Sequence, residues 1–277
     1  MSDDGKFKLL PADVDFAGRA ILIHCEGRRI SDADIDEFCT QVRTLFDDKL
    51  TDYPNNKLPP VSIDLQDNFI SAKGIVTLRV KILDVYDIQN LYLDRNSLND
   101  VAAHELSDWI TTQQSCEQLH VSGNKITDAG LAHLLTGIIS CGNYPLATQS
   151  SGKLPLILRL NRNHLVCARG EVCSVLNTLG RTIETVLISD GITETRPERN
   201  DTPPDVHLFC ADPVSSAKSK CVSDDPCAFH MQGKCLLGKK CTFRHKLTPA
   251  ELAQGEQLKK TAAKKKLVVR EINLNHF

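Results

Sequence analysis

Residues 1–192 predict an α/β fold in which short parallel strands alternate with helices, and the end of the chain predicts a small module held together by zinc. Three observations carry this. One stretch of sequence repeats itself with a period of 28; within each copy the apolar spacing switches from two to three and four; and three cysteines and a histidine crowd together near the end.

The clearest copies of the repeat are Ile88-Gln-Asn-Leu91-Tyr-Leu93-Asp-Arg-Asn96-Ser-Leu98, of the form LxxLxLxxNxL, and Cys116xxLeu119xVal121xxAsn124xIle126. Upstream lies Ile63xLeu65xxAsn68xIle70 and downstream Leu158xLeu160xxAsn163xLeu165, with degenerate ends at Ile23xCys25xxArg28xIle30 and Val186xIle188xxGly191. The register positions 28, 68, 96, 124, 163 and 191 follow one another in steps of 40, 28, 28, 39 and 28. Insertions therefore fall near 47–60 and 141–153, both rich in Pro, Asn, Gly or Ser.

Alternation of apolar residues around 63–65, 91–93, 119–121 and 158–160 predicts strands with one buried face. The asparagine after each strand carries an amide able to satisfy backbone groups where the chain turns inward. Helices follow on the apolar positions Ile35, Phe38, Val42 and Phe46; Val101, Leu106 and Ile110; Leu131, Leu134, Leu135 and Ile138; and Val172, Val175 and Leu176. Ser31-Asp32 and Thr127-Asp128 are expected to cap two of them.

This pattern resembles the leucine-rich repeat family, in its longer, helix-containing form found in ribonuclease-inhibitor-like proteins. The resemblance implies a solenoid of about six repeats on that period, with parallel strands on a concave face and helices on the convex side. The leucines are then core. The column between the buried strand residues is expected to be His24, Asp64, Tyr92, His120, Arg159 and Leu187, and the next column Glu26, Gln66, Asp94, Ser122, Asn161 and Ser189. Tyr and Arg are favoured anchors at protein interfaces, so Asp64, Tyr92, Asp94, His120 and Arg159 are the expected protein-binding residues. His24 and His120 lie too many strands apart to share a metal.

Residues 193–220 lose the periodicity, and 196–205 are polar and Pro-rich, which predicts a linker. Residues 221–247 follow as the small module and 248–277 as a basic helix and tail. Cys227, Cys235, Cys241 and His245 are spaced C-x7-C-x5-C-x3-H. So short a segment buries too little apolar surface to fold alone, whereas four N/S ligands closing on one Zn²⁺ contribute about 10–16 kcal/mol to folding. Cys221 and His230 are further ligand types nearby.

The segment is similar to the CCCH zinc fingers. Phe229 and Phe243 fall where members that bind single-stranded RNA carry aromatic rings, and Gly233 and Gly238 also fit. The resemblance implies stacking of unpaired bases on the two rings, with Lys234, Lys239, Lys240, Arg244 and Lys246 holding the backbone. The basic-aromatic leader of the AU-rich-element binders is replaced by Lys220-Cys221-Val222-Ser223-Asp224-Asp225-Pro226, so their base preference is not implied. Thr248-Pro249-Ala250-Glu251 forms a capping box opening a helix toward the lysines at 259–266; these contact phosphate, serve as a nuclear address, or stand on a solvated face.

The net charge of −2 conceals two opposed parts. Residues 1–213 hold 20 Lys and Arg against 30 Asp and Glu, and residues 214–277 hold 13 against 5. A basic module suits a polyanion, and an acidic scaffold suits protein contacts. With no run of eighteen apolar residues and no basic-then-apolar N-terminus, neither a membrane span nor a signal peptide is expected, and the protein is placed in the cytoplasm or nucleus. Cys25, Cys39, Cys116, Cys141, Cys167, Cys173 and Cys210 lie mostly in apolar-periodic segments and are expected to be small core residues, not disulfides. No HExxH, GxSxG or phosphate loop occurs, and a zinc with four protein ligands leaves no open position, so an enzyme is not expected. The leading expectation is an RNA-binding adaptor. The competing one is a GTPase-regulatory or protein-interaction scaffold, similar to ribonuclease-inhibitor-like GTPase activators, whose finger is purely structural.

One zinc per chain is expected by elemental analysis, and Cys235→Ser should release it. Thermal unfolding of residues 1–192 should be unchanged in that variant, because the two parts share no core; an equal loss of stability in both would contradict this division.

Overall fold

The computed structural model describes residues 7–16, 20–113, 115–147, 152–189 and 203–210, together with Pro249 and, by backbone alone, residues 223–226 and 243–244. The chain divides into two units, Met1–Pro213 and Val214–Phe277. In the first, the elements in order are β1 (Val14–Phe16), β2 (Ile21–His24), α1 (Ile35–Lys49), β3 (Val61–Asp64), α2 (Ala72–Leu78), β4 (Ile88–Tyr92), α3 (Asp100–Thr112), β5 (Gln118–His120) and α4 (Asp128–Cys141). There follow β6 (Leu146–Ala147), β7 (Lys153–Leu154), β8 (Leu156–Arg159), α5 (Ala168–Thr178), β9 (Val186–Ser189) and β10 (Val206–Phe209). The second unit contains the parallel pair β11 (Ser223–Pro226) and β12 (Phe243–Arg244).

Eight strands form one sheet in the order β1-β2-β3-β4-β5-β8-β10-β9, parallel throughout except for β1, so the unit is an α/β fold. Ile23 lies opposite Ile63, Ile63 opposite Leu91, Leu91 opposite Leu119 and Leu119 opposite Leu158, so successive partners differ in number by 40, 28, 28 and 39. These are the first four steps between the register positions. The apolar residues of these strands and of the turns that follow are buried: Ile21, Ile23, Ile63, Leu91, Leu93, Leu119, Val121, Leu158 and Leu160. The core is completed by helix residues, among them Phe38, Phe46, Leu78, Leu106, Trp109, Leu134 and Leu176. Trp109 fastens α3 to the segment before it, its indole N–H donating to the Leu83 carbonyl at 3.0 Å.

Where a strand ends, the chain turns through one residue in the left-handed region just before the register position. Gly27, Asp67, Arg95, Gly123 and Arg162 all have φ between 53° and 66°. For the non-glycine residues this conformation costs about 1–2 kcal/mol. The asparagines that follow four of them offset it. The Asn68 amide donates to the Cys25, Leu65 and Gln66 carbonyls at 2.9 Å, and its oxygen accepts the Ile30 N–H at 2.9 Å. Asn96 does the same one strand along, bonding Leu65 and Leu93 and accepting from Ile70. Asn124 bonds Leu93 and Val121 and accepts from Leu98, and Asn163 bonds Val121 and Leu160 and accepts from Ile126. Each amide therefore ties its own turn to the turn before.

A second line of carboxylates runs beside the first. Asp32 accepts from the backbone and hydroxyl of Ser71, Asp100 from those of Thr127, and Asp128 from the Val166 and Cys167 N–H groups. Glycine is required where the next helix passes over these carboxylates: a Cβ on Gly74 or Gly130 would collide with Asp32 Oδ1 or Asp100 Oδ1.

Several expectations need correction. The linker expected at 193–220 contains β10, which inserts between β8 and β9 with all four residues buried. Its signal was a short apolar run, Val206-His-Leu-Phe-Cys210, whose length suits a strand covered on both faces but which sits amid Pro-rich polar sequence. As a result Ser189, not Leu187, shares the level of Arg159, through Phe209, and Leu187 lies level with Ile157. A slip of two residues keeps the same side chains inward, so hydrophobic alternation does not distinguish the two registers. Val101 is exposed, its place in the core taken by Ala102 and Ala103. Ser31-Asp32 does not cap α1: Asp34 is the N-cap residue, and Asp32 serves Ser71 instead. Thr127 does cap α4, accepting from the Ala129 N–H. The insertions carry short 3-10 turns over 50–56 and the hairpin β6-β7. Cys25, Cys39, Cys116, Cys173 and Cys210 are buried as expected, but Cys141, at the last turn of α4, and Cys167, just before α5, are only half-buried and do not belong to the core. Burial pushes the thiols of Cys25, Cys39 and Cys116 up to about 12, so they behave as inert core groups.

Asn96→Ala should cost about 1–3 kcal/mol in denaturant unfolding, because it strands the buried Ile70 N–H, whereas the Leu65 and Leu93 carbonyls keep the amides of Asn68 and Asn124. Leu93→Ala should cost about 2–5 kcal/mol as a core cavity, and Tyr92→Ala, on the opposite strand face, much less.

Candidate functional site

The period of two that buries Leu91 and Leu93 turns Tyr92 to the other face of the sheet, and the parallel register lines up what stands beside it. From β2 to β9 that row reads His24, Asp64, Tyr92, His120, Arg159, Phe209 and Ser189. One step further, past the strand ends, come Glu26, Gln66, Asp94, Ser122 and Asn161. The expected residues Asp64, Tyr92, Asp94, His120 and Arg159 thus share one face, with Asp94, His120 and Arg159 around one cavity. His24 is exposed at the end of β2, with β3 and β4 between it and His120.

The centre of the row is a packed polar and aromatic patch. Tyr92 meets the His120 ring edge to face with centroids 4.7 Å apart, and the Arg159 guanidinium lies over the Phe209 ring at 4.5 Å. Phe209 in turn packs on His207, whose Nε2 is 2.8 Å from Ser189 Oγ. Asp94 is buried and its Oδ1 accepts the Ser122 N–H; its Oδ2 stands 3.7 Å from His120 Nδ1. Burial raises the Asp94 carboxyl above its ordinary range. His120 moves the other way, down to about 4, first because burial disfavours the imidazolium and then because Arg159 repels it. The imidazole is therefore neutral at pH 7.

At the carboxyl ends of β4, β5 and β8, Asp94, His120, Ser122, Gly123 and Arg159 wall a cavity of about 290 Å³. Arg95, Asn161 and Arg162 complete it. Asn161 belongs to the expected outer column but, like Arg95 and Arg162, not to the expected binding set. The two arginines sit at the left-handed turn positions, which alternation does not assign to a face; only the turn geometry brings them to the cavity. Arg95 is held by Asp67 and by Glu26, the latter at 3.3 Å.

The expected zinc ligands Cys227, Cys235, Cys241 and His245 lie outside the described residues, as do Phe229, Lys234, Lys239, Lys240 and Lys246. Phe243 and Arg244 form β12, whose backbone pairs with that of β11. No family model matches the chain, and no curated protein matches it in sequence. Among the described residues no helix is long and apolar enough to cross a membrane.

His120 should titrate near pH 4 by NMR. Its proton is bound by the unfolded chain below about pH 6.5 and by the folded one only below about 4, so it contributes stability that is present above 6.5 and lost as pH falls through that window. Arg159→Gln should raise the midpoint toward the ordinary imidazole value.

Proposed function

We propose that the protein is an RNA-binding adaptor, in which a CCCH zinc finger binds single-stranded RNA and a leucine-rich repeat solenoid holds a protein partner on the open face of its sheet. The observation that carries the RNA half is the sequence Cys227-x7-Cys235-x5-Cys241-x3-His245 with phenylalanines at 229 and 243, inside a segment whose charge is strongly positive. Zinc closes the four ligands and contributes the folding free energy that so short a segment lacks. The two rings stack unpaired bases, and Lys234, Lys239, Lys240, Arg244 and Lys246 draw in the phosphates.

The repeat reading is supported by the four equivalent asparagines, which make the same bonds at successive turns, and by strand offsets of 28 from β3 through β5. The protein-binding reading rests on the Tyr92, His120, Arg159 and Phe209 patch, which combines aromatic rings with a guanidinium. The acidic balance of residues 1–213 disfavours nucleic acid there and leaves that surface to protein. Both activities suit the cytoplasm or nucleus.

The test is photocrosslinking of the zinc-loaded full chain to a pool of single-stranded RNA at low salt. Binding should be lost in Cys235→Ser. Phe229→Ala or Phe243→Ala, with zinc retained, should cost about 1–3 kcal/mol without altering the salt dependence. Replacing Lys239 and Lys240 should flatten log K against log salt by about 0.7 for each phosphate no longer neutralised. A zinc-loaded chain that crosslinks to no RNA, or that instead stimulates a GTPase, would sink the RNA reading in favour of a scaffold with a structural finger.

A further inference from the structure

The connections that lead into β3, β4, β5 and β8 stand side by side, because these strands are parallel neighbours and each is entered from the same end. The outer two are the insertions, 50–60 and 142–155, and the inner two, 84–87 and 113–117, are short. Two long connections thus flank two short ones, and the low stretch between them holds a cleft of about 450 Å³, lined by residues 84–87 with Thr112, Gln113 and Ser115. It lies at the opposite end of the strands from the cavity around His120. The Asn143 amide donates to the Gln113 carbonyl at 3.2 Å and the Tyr144 hydroxyl to that of Cys116 at 2.9 Å, so the later insertion is fastened to the floor. On the other side Tyr86 meets Phe46 of α1 edge to face at 4.8 Å. Insertions into stacked strand–helix units project together from one edge and often carry a binding surface.

The cleft is short of donors and of positive charge. The Thr112 hydroxyl is committed to the Trp109 carbonyl at 2.8 Å, and the Gln113 amide to that of Leu83 at 3.0 Å. Asp87 has neither an ion pair nor a side-chain hydrogen bond among the described residues; its Oδ1 is enclosed, which leaves Oδ2 in reach of a ligand. Asp84 pairs with Arg79 at 3.3 Å, but that one guanidinium also answers Glu105 at 2.7 Å and Asp108 at 3.3 Å. Arg43 and Asp47, which both act on the Tyr86 hydroxyl, offset one another. Along the flanks Lys49 pairs with Asp52, and Lys57 and Lys153 are matched in number by Asp48 and Glu117. With all of these counted, negative charge is in excess around Asp84 and Asp87. Val85, between the two aspartates, is 53% exposed.

We propose that this cleft is a second protein-docking surface, taking a partner segment that carries a lysine or arginine beside an apolar residue. The cation stands against Asp87 and Asp84, its aliphatic stem lies along Tyr86, and the apolar neighbour covers Val85. Opposite charge draws the two surfaces together before contact, so association weakens as salt is added.

The test is selection of random peptides on the immobilised full chain, with the Asp87→Asn chain as counter-target. Peptides held by the first and lost on the second should carry Lys or Arg next to an apolar residue and bind less tightly at higher salt. Their affinity should fall about fivefold in Asp87→Asn, as for the loss of one exposed ion pair, and by a similar factor in Val85→Ser, an exposed position whose change leaves the circular dichroism intact. Tyr92→Ala should leave them unaffected. Peptides that depend on Tyr92 and not on Asp87 support the open face of the sheet and overturn the cleft. A selection in which nothing distinguishes the two chains, or in which the distinguishing peptides lack a cation, also overturns it. So does self-association in sedimentation that Asp87→Asn abolishes, since a second copy would then fill the cleft.

Discussion

The buried asparagine amides at 68, 96, 124 and 163 are the contacts on which the first unit depends. Each turn at the end of a strand drives backbone N–H and C=O groups into an apolar interior, where an unpaired group costs about 1–3 kcal/mol. A short amide with two donors and an acceptor satisfies three or four of them at once, and because it reaches back to the preceding turn it also fixes the distance between strands. A left-handed residue comes just before it, and that strain at Asp67, Arg95 and Arg162 is tolerated because the amide bonds outweigh it. The aspartates at 32, 100 and 128 do for the helix starts what the asparagines do for the strand ends.

The surface that this spacing creates follows directly. With strands in level register, every side chain between two buried residues stands beside its counterpart on the next strand. Tyr92, His120, Arg159 and Phe209 thus become one row although they come from four separate segments of the chain. Burial by the neighbouring strands then sets their chemistry. His120 loses its charge, Asp94 is raised, and Arg159 keeps a cation with no counter-ion among the described residues.

The insertion of β10 between β8 and β9 is where local reading and structure part. The strands from β3 to β8 that carry the pattern were legible because each has its own apolar alternation and is followed by its own asparagine, and they pair in the order in which they occur. β9 is followed by no asparagine, and the strand beside it comes from after it in the chain. Nothing within 186–210 states that order: both strands are short apolar segments, and only the pairing of β10 with β8 on one side and β9 on the other sets it. Phe209 and Arg159 were thereby made neighbours, and a patch that sequence columns would have ended at Leu187 gained an aromatic ring.

By itself the sequence determined what is local and periodic: the α/β class, the strand faces, the spacing of 28, the cysteines of the core and the close set of metal-ligand types near the end. Those follow from alternation, helical spacing and side-chain chemistry within a few residues, which a linear string preserves. The sheet order at β8-β10-β9, the level of Ser189 beside Phe209, and the cavity shared by Asp94, His120, Arg159 and Arg162 were decided only by tertiary structure. They depend on pairings between segments far apart in the chain, where registers two residues apart bury the same face and only the packed whole distinguishes them.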